Sequence, residues 1–422
     1  MKRFISLYYG SAGIGRAIQM LGVWIAGVYV SADVFRDQLV GSVKRYFGQR
    51  GVFAFGSGRG ALAACLRAAG IRPRDTVLLS AYTCLAVPTA VIAVGARPAY
   101  IDIDPRTLNV SVAEVLASLN SSVRAIVVQH TLGNPAPIEA IVDAARQRGI
   151  LVIEDCALCV GSKKNGRLLG TFGDAAIVSM ELSKTLSSGW GGILIVSDRK
   201  LALAVTELYK SLHEPSWVAS TRDSWQTIIS GVCHHPALYN ALGKYLLYAG
   251  FKSGLFRFST PRAEFDGEPG SEFITRMGGP QAGLAAIQWN NLETVAAECH
   301  ANAKKLRTTL QDLNLVAPGS PGPNDESVAP RVSFLVSDPE AAIAYFRARG
   351  VELGLWFNGP LSPLPTSSLF RYHADLYPRA MQVARHVVNI PCHSRLSAAD
   401  LEQINSALRD FVRSYPQFSS SD

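Results

Sequence analysis

Lys184 ends the run Ser179-Met180-Glu181-Leu182-Ser183-Lys184, and Glu154-Asp155 closes an apolar run about thirty residues earlier. After the lysine comes Gly189-Trp190-Gly191-Gly192, whose small residues let backbones approach closely. An amine and a carboxylate in this order can serve one heterocyclic aldehyde. The amine condenses with the aldehyde, and the carboxylate keeps the ring nitrogen protonated so that the ring can stabilise a carbanion. That is the chemistry of pyridoxal 5'-phosphate, and it also needs a phosphate cradle. Gly56-Ser57-Gly58-Arg59-Gly60-Ala61-Leu62 offers one, a glycine-rich turn leading from a strand into a helix whose first N–H groups face an anion. Each part alone is ordinary: a solvated lysine, an aspartate at a strand end, a tight turn. Together they make a cradle, a ring-nitrogen partner and an aldehyde partner.

These residues need a rigid frame. Short apolar runs at Val52–Phe55, Thr76–Leu79, Ala99–Ile103, Ala125–Gln129, Leu151–Glu154, Ala175–Ser179 and Gly192–Val196 read as strands. Helix-compatible spacing fills Gly60–Ala69, Cys84–Val94, Ser111–Asn120 and Pro137–Gly149, with Gly70 and Gly149 at C-terminal cap positions. The alternation predicts an α/β domain built on a mostly parallel seven-stranded sheet. Beyond Arg276, a helical stretch through Leu310 leads to a smaller α/β part. There Arg331–Val336 and Arg385–Ile390 read as strands, and Asp338–Arg349 and Ser397–Tyr415 as helices. The division expected is an N-terminal segment (1–50), a large domain (51–275), and a connecting helix with a small C-terminal domain (276–422).

The 422 residues are 48% hydrophobic and 18% charged, which suits a folded chain with a large buried sheet and excludes disorder. The net charge is +8, yet no basic run interleaved with aromatics forms a nucleic-acid module, so no nucleic acid is expected as partner. Seven cysteines are scattered, an odd number that fits a reduced, cytoplasmic chain. Cys156-Ala157-Leu158-Cys159 has no second pair at zinc spacing and reads as packing; no metal is expected. Lys2 and Arg3 precede an apolar stretch, Met20 to Val30, that is too short for a bilayer and lacks a cleavage site. Residues 224–263 contain no acid but carry Lys244, Lys252, Arg257 and Arg262 among tyrosines and phenylalanines. We read them first as an insertion packed on the protein itself or on a dimer mate. The alternative is peripheral contact at the inner face of the membrane, or a cover for an amphiphilic substrate.

With these segments in order, the chain resembles the DegT/DnrJ/EryC1/StrS family of pyridoxal phosphate sugar aminotransferases. The resemblance runs from about Val52 to Asp198 and resumes near Arg276 to Ala286. It is carried by Ser57–Leu62, Thr83, Gly95-Ala96-Arg97-Pro98, Asp102-Ile103-Asp104-Pro105, His130-Thr131-Leu132-Gly133-Asn134-Pro135, Glu154-Asp155, Gly170–Ala175, Ser179 through Lys184, Arg276-Met277 and Gln281-Ala282. It implies an aspartate-aminotransferase-like (fold type I) homodimer with active sites at the subunit interface. Lys184 then stands as the lysine that condenses with the cofactor and as general acid/base, and Asp155 as partner of the ring nitrogen. Ser179, Ser57, Gly58 and Arg59 would hold the phosphate, and Arg276 belongs to the segment presented to the neighbouring site.

Three positions depart from the family pattern. Arg59 replaces a threonine, and would either pair with the phosphate or point away. Cys84 replaces an aromatic residue over the ring, so stacking is lost or supplied by Tyr82. Leu158 replaces a glutamine near the ring hydroxyl. The implied reaction takes an amino group from an amino acid, L-glutamate in the family's usual case, to a keto group on a nucleotide-linked deoxysugar for polysaccharide or glycoconjugate synthesis. His130, Trp190 and His213 can approach such a substrate, although each reads first as structural. A sugar dehydrase is disfavoured because that branch replaces the lysine with histidine. An aminotransferase for a lipid-linked or amphiphilic ketone, and a non-catalytic scaffold or regulator of the same fold, are the remaining alternatives.

Overall fold

The computed structural model describes residues 4–8, 10, 12–48, 51–268, 270 and 273–415, so Lys2, Arg3 and the serine-rich tail lie outside the described residues. Seven strands pair into one sheet: β1 (Gly51–Phe55), β2 (Thr76–Ser80), β3 (Arg97–Ile101), β4 (Val123–Gln129), β5 (Leu151–Asp155), β6 (Ala175–Ser179) and β7 (Gly192–Val196). Their order is β1-β7-β6-β5-β4-β2-β3. β7 runs antiparallel to both neighbours, and every other neighbouring pair is parallel. This is the mostly parallel α/β sheet that the alternating runs predict.

Side chains alternate across each strand, so the sheet separates two cores. Val152, Val178 and Ile193 face one, while Ile153, Ile177 and Leu194 face the other. The second core also takes Leu62, Cys65 and Leu66 from the helix Gly58–Ala68. Burial on both faces explains why the strands read as continuous apolar runs.

Strand and helix ends differ locally from expectation, for identifiable reasons. β3 begins at Arg97 and includes Pro98, which an edge strand tolerates. It stops before Asp102, whose carboxylate accepts the N–H groups of Ile103, Arg379 and Ala380. Thr83 and Cys84 pair with Leu361 and Ser362 and so delay the next helix to Ala86–Ile92. The helical stretch after Arg276 is two helices, Gly279–Trp289 and Leu292–Asp312. Pro378–His386 is helical, so the last strand is Val387–Pro391, antiparallel to Arg331–Leu335.

Leu306, Phe334, Phe346, Ile404 and Phe411 form a third core behind those two strands. Ser397 and Asp400 close a capping box at the start of the helix Ala398–Ser414. Two helices precede the sheet, α1 (Ile14–Ala26) and α2 (Ala32–Phe47). Residues 224–263 lie in the helices Trp217–Cys233, Tyr239–Gly243, Lys244–Lys252 and the start of Arg262–Phe265. Among the described residues no helix is long and apolar enough to cross a membrane.

Candidate active site

β5 and β6 are parallel and end at the same edge of the sheet. By strand alternation Asp155 lies on the side of Ile153, and Ser179 on the side of Ile177, where the helix Gly58–Ala68 also packs. One cavity at this edge is lined by Ser57, Gly58, Arg59, Cys84, Asp155, Ser179, Lys184 and Trp190. The carboxyl ends of parallel strands beside a helix N-terminus are the usual ligand position in open α/β sheets.

Asp155 is buried, and its Oδ1 accepts the Ala157 N–H at 2.9 Å. Burial pushes its carboxyl above the usual range, while the Ala157 N–H, Lys184 and His130 pull it back. A buried carboxylate held in this way favours a cation placed opposite it. Lys184 sits in the loop between β6 and β7, where its N–H donates to the Glu181 carbonyl at 3.0 Å. Its Nζ lies 4.9 Å from the centre of the Trp356 ring.

The Ser57 side chain caps the helix Gly58–Ala68 by accepting the Gly60 N–H at 3.0 Å. The first-turn N–H groups at Gly58 and Arg59 have no intrahelical acceptor and are available to an anion. β7 closes on this turn through Gly192, where a Cβ would stand 2.3 Å from the Ser57 carbonyl carbon. Gly58 in turn faces Ser179, whose Cβ lies 3.2 Å from where a Gly58 Cβ would be.

The departures from the family pattern resolve differently. The guanidinium of Arg59 pairs with the Glu264 carboxylate and donates to the Ser259 carbonyl. Cys84 lines the cavity; burial pushes its thiol up and Lys184 opposes that shift. Tyr82 does not line it. Its ring packs edge-on against Phe357, and its hydroxyl accepts the Phe357 N–H at 2.9 Å. Leu158 is buried in the second core, and its neighbour Ala157 reaches the cavity.

The other expected residues divide in the same way. Trp190 lines the cavity beneath the guanidinium of Arg257, 3.7 Å from its ring centre. Its indole Nε1 is buried and has no hydrogen-bond acceptor among the described residues. Arg257 also pairs with Asp223 at 2.7 Å; burial lowers its pKa to about 10, against the pull of Asp223.

His130 is wholly buried, accepts the Ala136 N–H on Nδ1 and so donates from Nε2 to Glu154. Glu154 also accepts the Gly170, Phe172 and Gly173 N–H groups. His130, Glu154 and Cys156 stand close together, and these bonds already occupy the carboxylate. His213 is exposed, and its carbonyl accepts the Arg276 N–H at 3.1 Å. The Arg276 guanidinium donates to the Tyr209 and Lys210 carbonyls, outside the cavity of its own chain.

Sequence reasoning missed Trp356 and Glu264. Their contribution depends on long-range packing, and no local pattern marks them. Arg257 stood within the acid-free stretch, whose composition was the one available signal.

The model of the DegT/DnrJ/EryC1/StrS aminotransferase family matches residues 26–409. The spore coat polysaccharide biosynthesis protein SpsC of Bacillus subtilis is 34% identical over 383 residues, covering 87% of this chain and 87% of SpsC. A pleiotropic regulatory protein of Geobacillus stearothermophilus is 23% identical over 85% of this chain and 84% of its own length. A dTDP-4-dehydro-2,3,6-trideoxy-D-glucose 4-aminotransferase of Saccharopolyspora spinosa is 35% identical across 40% of this chain; the match spans 44% of that enzyme. Among solved structures, DesV of S. venezuelae superposes with a TM-score of 0.73 at 19% identity, over 97% of this chain and 99% of DesV, a likeness of fold.

Proposed function

The chain belongs to the DegT/DnrJ/EryC1/StrS aminotransferase family, and from that we propose that it binds pyridoxal 5'-phosphate around Lys184 and aminates a keto sugar. The acceptor is a nucleotide-linked deoxysugar, the donor is L-glutamate, and the working form is a cytoplasmic homodimer with its sites at the subunit interface. One observation carries this reading: Lys184, Asp155, Ser179 and the Ser57–Gly58 helix start all line one cavity. The residues fit the cofactor. The buried Asp155 carboxylate forms no salt bridge among the described residues and suits a protonated ring nitrogen, and the capped helix start suits a phosphate.

When bound, the cofactor supplies an electron sink for a carbanion at the donor Cα. Lys184 would hold the cofactor through its Nζ, and that amine, once free, would carry the proton from the donor Cα to the cofactor carbon that bore the aldehyde. In the second half-reaction the same Nζ would carry a proton from that carbon to the sugar carbon that receives nitrogen. Positioned acid/base transfer of this kind contributes about 10²–10⁴-fold. Asp155 keeps the ring nitrogen protonated through both halves. Trp190, buried and lining the cavity, supplies apolar surface that keeps water from the reacting carbon.

The nucleotide-linked acceptor is supported by the name of the S. spinosa relative, and surface polysaccharide by that of SpsC. The Geobacillus relative carries a regulator's name, but Lys184 and Asp155 sit together here as an enzyme requires.

Purified protein loaded with pyridoxal phosphate should show the visible absorbance of a cofactor joined to lysine, and Lys184→Ala should lack it. L-glutamate should bleach that band, and one member of a panel of keto-sugar nucleotides should restore it. A band that survives Lys184→Ala would sink the assignment of the lysine. Failure of every keto-sugar nucleotide to restore the band would sink the acceptor class.

A further inference from the structure

Residues 1–32 contain no aspartate or glutamate, and neither do residues 224–263. The fold lays α1, from the first stretch, beside the helix Trp217–Cys233, which carries the start of the second. α1 precedes almost the whole of the matched family region, which begins at residue 26. It packs on the helix Trp217–Cys233 so closely that a Cβ on Gly231 would stand 2.9 Å from the Gly13 carbonyl oxygen. Trp24 of α1 stacks on Trp217 at 6.4 Å and meets the edge of Trp225 at 5.6 Å.

α1 is apolar on both sides. Ala17, Met20 and Val23 are buried inward, whereas Ile14, Ile18, Leu21 and Ile25 recur at helical spacing on the outside and are exposed. Among the described residues, no charged side chain stands on that outer face of α1, because Arg16, its one charge, is buried. The neighbouring helix continues the surface with exposed Val218, Trp225 and Val232. Beyond it, Tyr245 and Tyr248 are exposed with Lys244 and Lys252 beside their rings, at 5.1 and 5.9 Å. Most of the large apolar side chains exposed in the described residues belong to these segments. Large apolar side chains exposed together on neighbouring helices mark a binding surface.

We propose that this face docks the protein on an anionic lipid bilayer, lying on the surface without crossing it. The outer stripe of α1 supplies apolar area for the acyl boundary, Trp217 and Trp225 stand at its edge, and Lys244 and Lys252 supply positive charge. Charge decides between this partner and a second copy of the chain. Two-fold association would set these two acid-free stretches against their own copies, leaving Lys244 and Lys252 no carboxylate within them to meet. Anionic headgroups provide what the copy lacks. The inference is independent of the amino-transfer reading.

The test is co-sedimentation of the full chain with vesicles of phosphatidylcholine alone and of phosphatidylcholine with phosphatidylglycerol. The expected result is binding to the phosphatidylglycerol vesicles that weakens with salt and is lost in Ile18→Asp/Ile25→Asp. Lys244→Gln/Lys252→Gln should weaken it roughly fivefold per lysine. Circular dichroism confirms that each variant is folded; should the aspartate pair unfold the chain, the lysine pair carries the test. Absence of binding to both vesicles overturns the proposal. So does a wild-type dimer that becomes monomeric in Ile18→Asp/Ile25→Asp, because a second copy then covers the face.

Discussion

The guanidinium of Arg59 and the carboxylate of Glu264 stand 205 residues apart in the chain and form an ion pair. Their side chains are only 10% and 8% exposed. Arg59 opens the helix whose N-terminus faces the cavity, and Glu264 follows Ser259, which lines that cavity. The pair therefore fastens the wall to the phosphate turn, and Arg59 is spent on protein where a family threonine would stand.

Removing one member leaves a buried charge without its partner, which costs about 3 kcal/mol. Arg59→Ala should therefore lower the melting temperature by several degrees, and Glu264→Gln should do likewise. Pyridoxal phosphate affinity should change less than stability does, by under about tenfold, because the helix start and not the guanidinium meets the phosphate. Thermal melts and cofactor titration of Arg59→Ala check this. A loss of cofactor affinity with unchanged melting would return Arg59 to the phosphate.

Asp155 gives a prediction with opposite signs in the apo and loaded protein. Burial raises its carboxyl pKa in the fold, so between the ordinary carboxyl range and the raised value the native state binds more protons than the unfolded state. Apo stability then falls as pH rises through that window, and the full penalty remains above it. Asp155→Asn should melt higher than wild type in the apo form at pH 7 and lose this pH dependence. With cofactor the sign reverses: loss of the buried partner should weaken binding on the order of 10³-fold. Melting scans across pH, with and without pyridoxal phosphate, separate the two effects.

The parts of this structure that follow local rules were legible in the sequence. Asp155, Ser179 and the Ser57 turn all stand where a strand ends, and apolar runs with flanking glycines mark strand ends. Gly70 and Gly149 take positive φ as helix-end glycines do. The order of the strands was not legible, because β7 inserts between β1 and β6 through contacts far apart in sequence. Trp356 escaped notice for the same reason, standing beside Lys184 across 172 residues that no periodicity links. The apolar stretch Met20 to Val30 shows in the sequence as too short to span a bilayer, but the extent of α1 does not, since apolar residues on both helix faces hide which side is core.

Gly192 tests how tightly the phosphate turn is held. A methyl group there would stand 2.3 Å from the Ser57 carbonyl carbon and 2.4 Å from the Gly58 nitrogen, both backbone atoms that cannot rotate away. Gly192→Ala should force the turn off β7, costing about 1–3 kcal/mol of stability by overpacking. It should also weaken cofactor binding at least tenfold, since the helix start moves with the turn. Retention of wild-type affinity in a folded Gly192→Ala protein would show that the turn does not hold the phosphate.

Trp190 tests where the acceptor lies. Its ring is clamped by Arg257, and its indole Nε1 has no acceptor among the described residues although it is buried. A buried donor left unpaired costs about 1–3 kcal/mol, and a substrate oxygen that accepts from it recovers that cost on binding. Trp190→Phe keeps a ring for Arg257 to stack on while removing the donor. If the sugar uses Nε1, this variant should raise the acceptor KM about five- to thirtyfold, leave kcat nearly unchanged and leave the donor half-reaction as in wild type. Its melting temperature should stay level or rise, since no unpaired donor is left behind. A variant impaired equally in both half-reactions would instead make Trp190 a wall of the cofactor cavity, with no part in recognising the sugar.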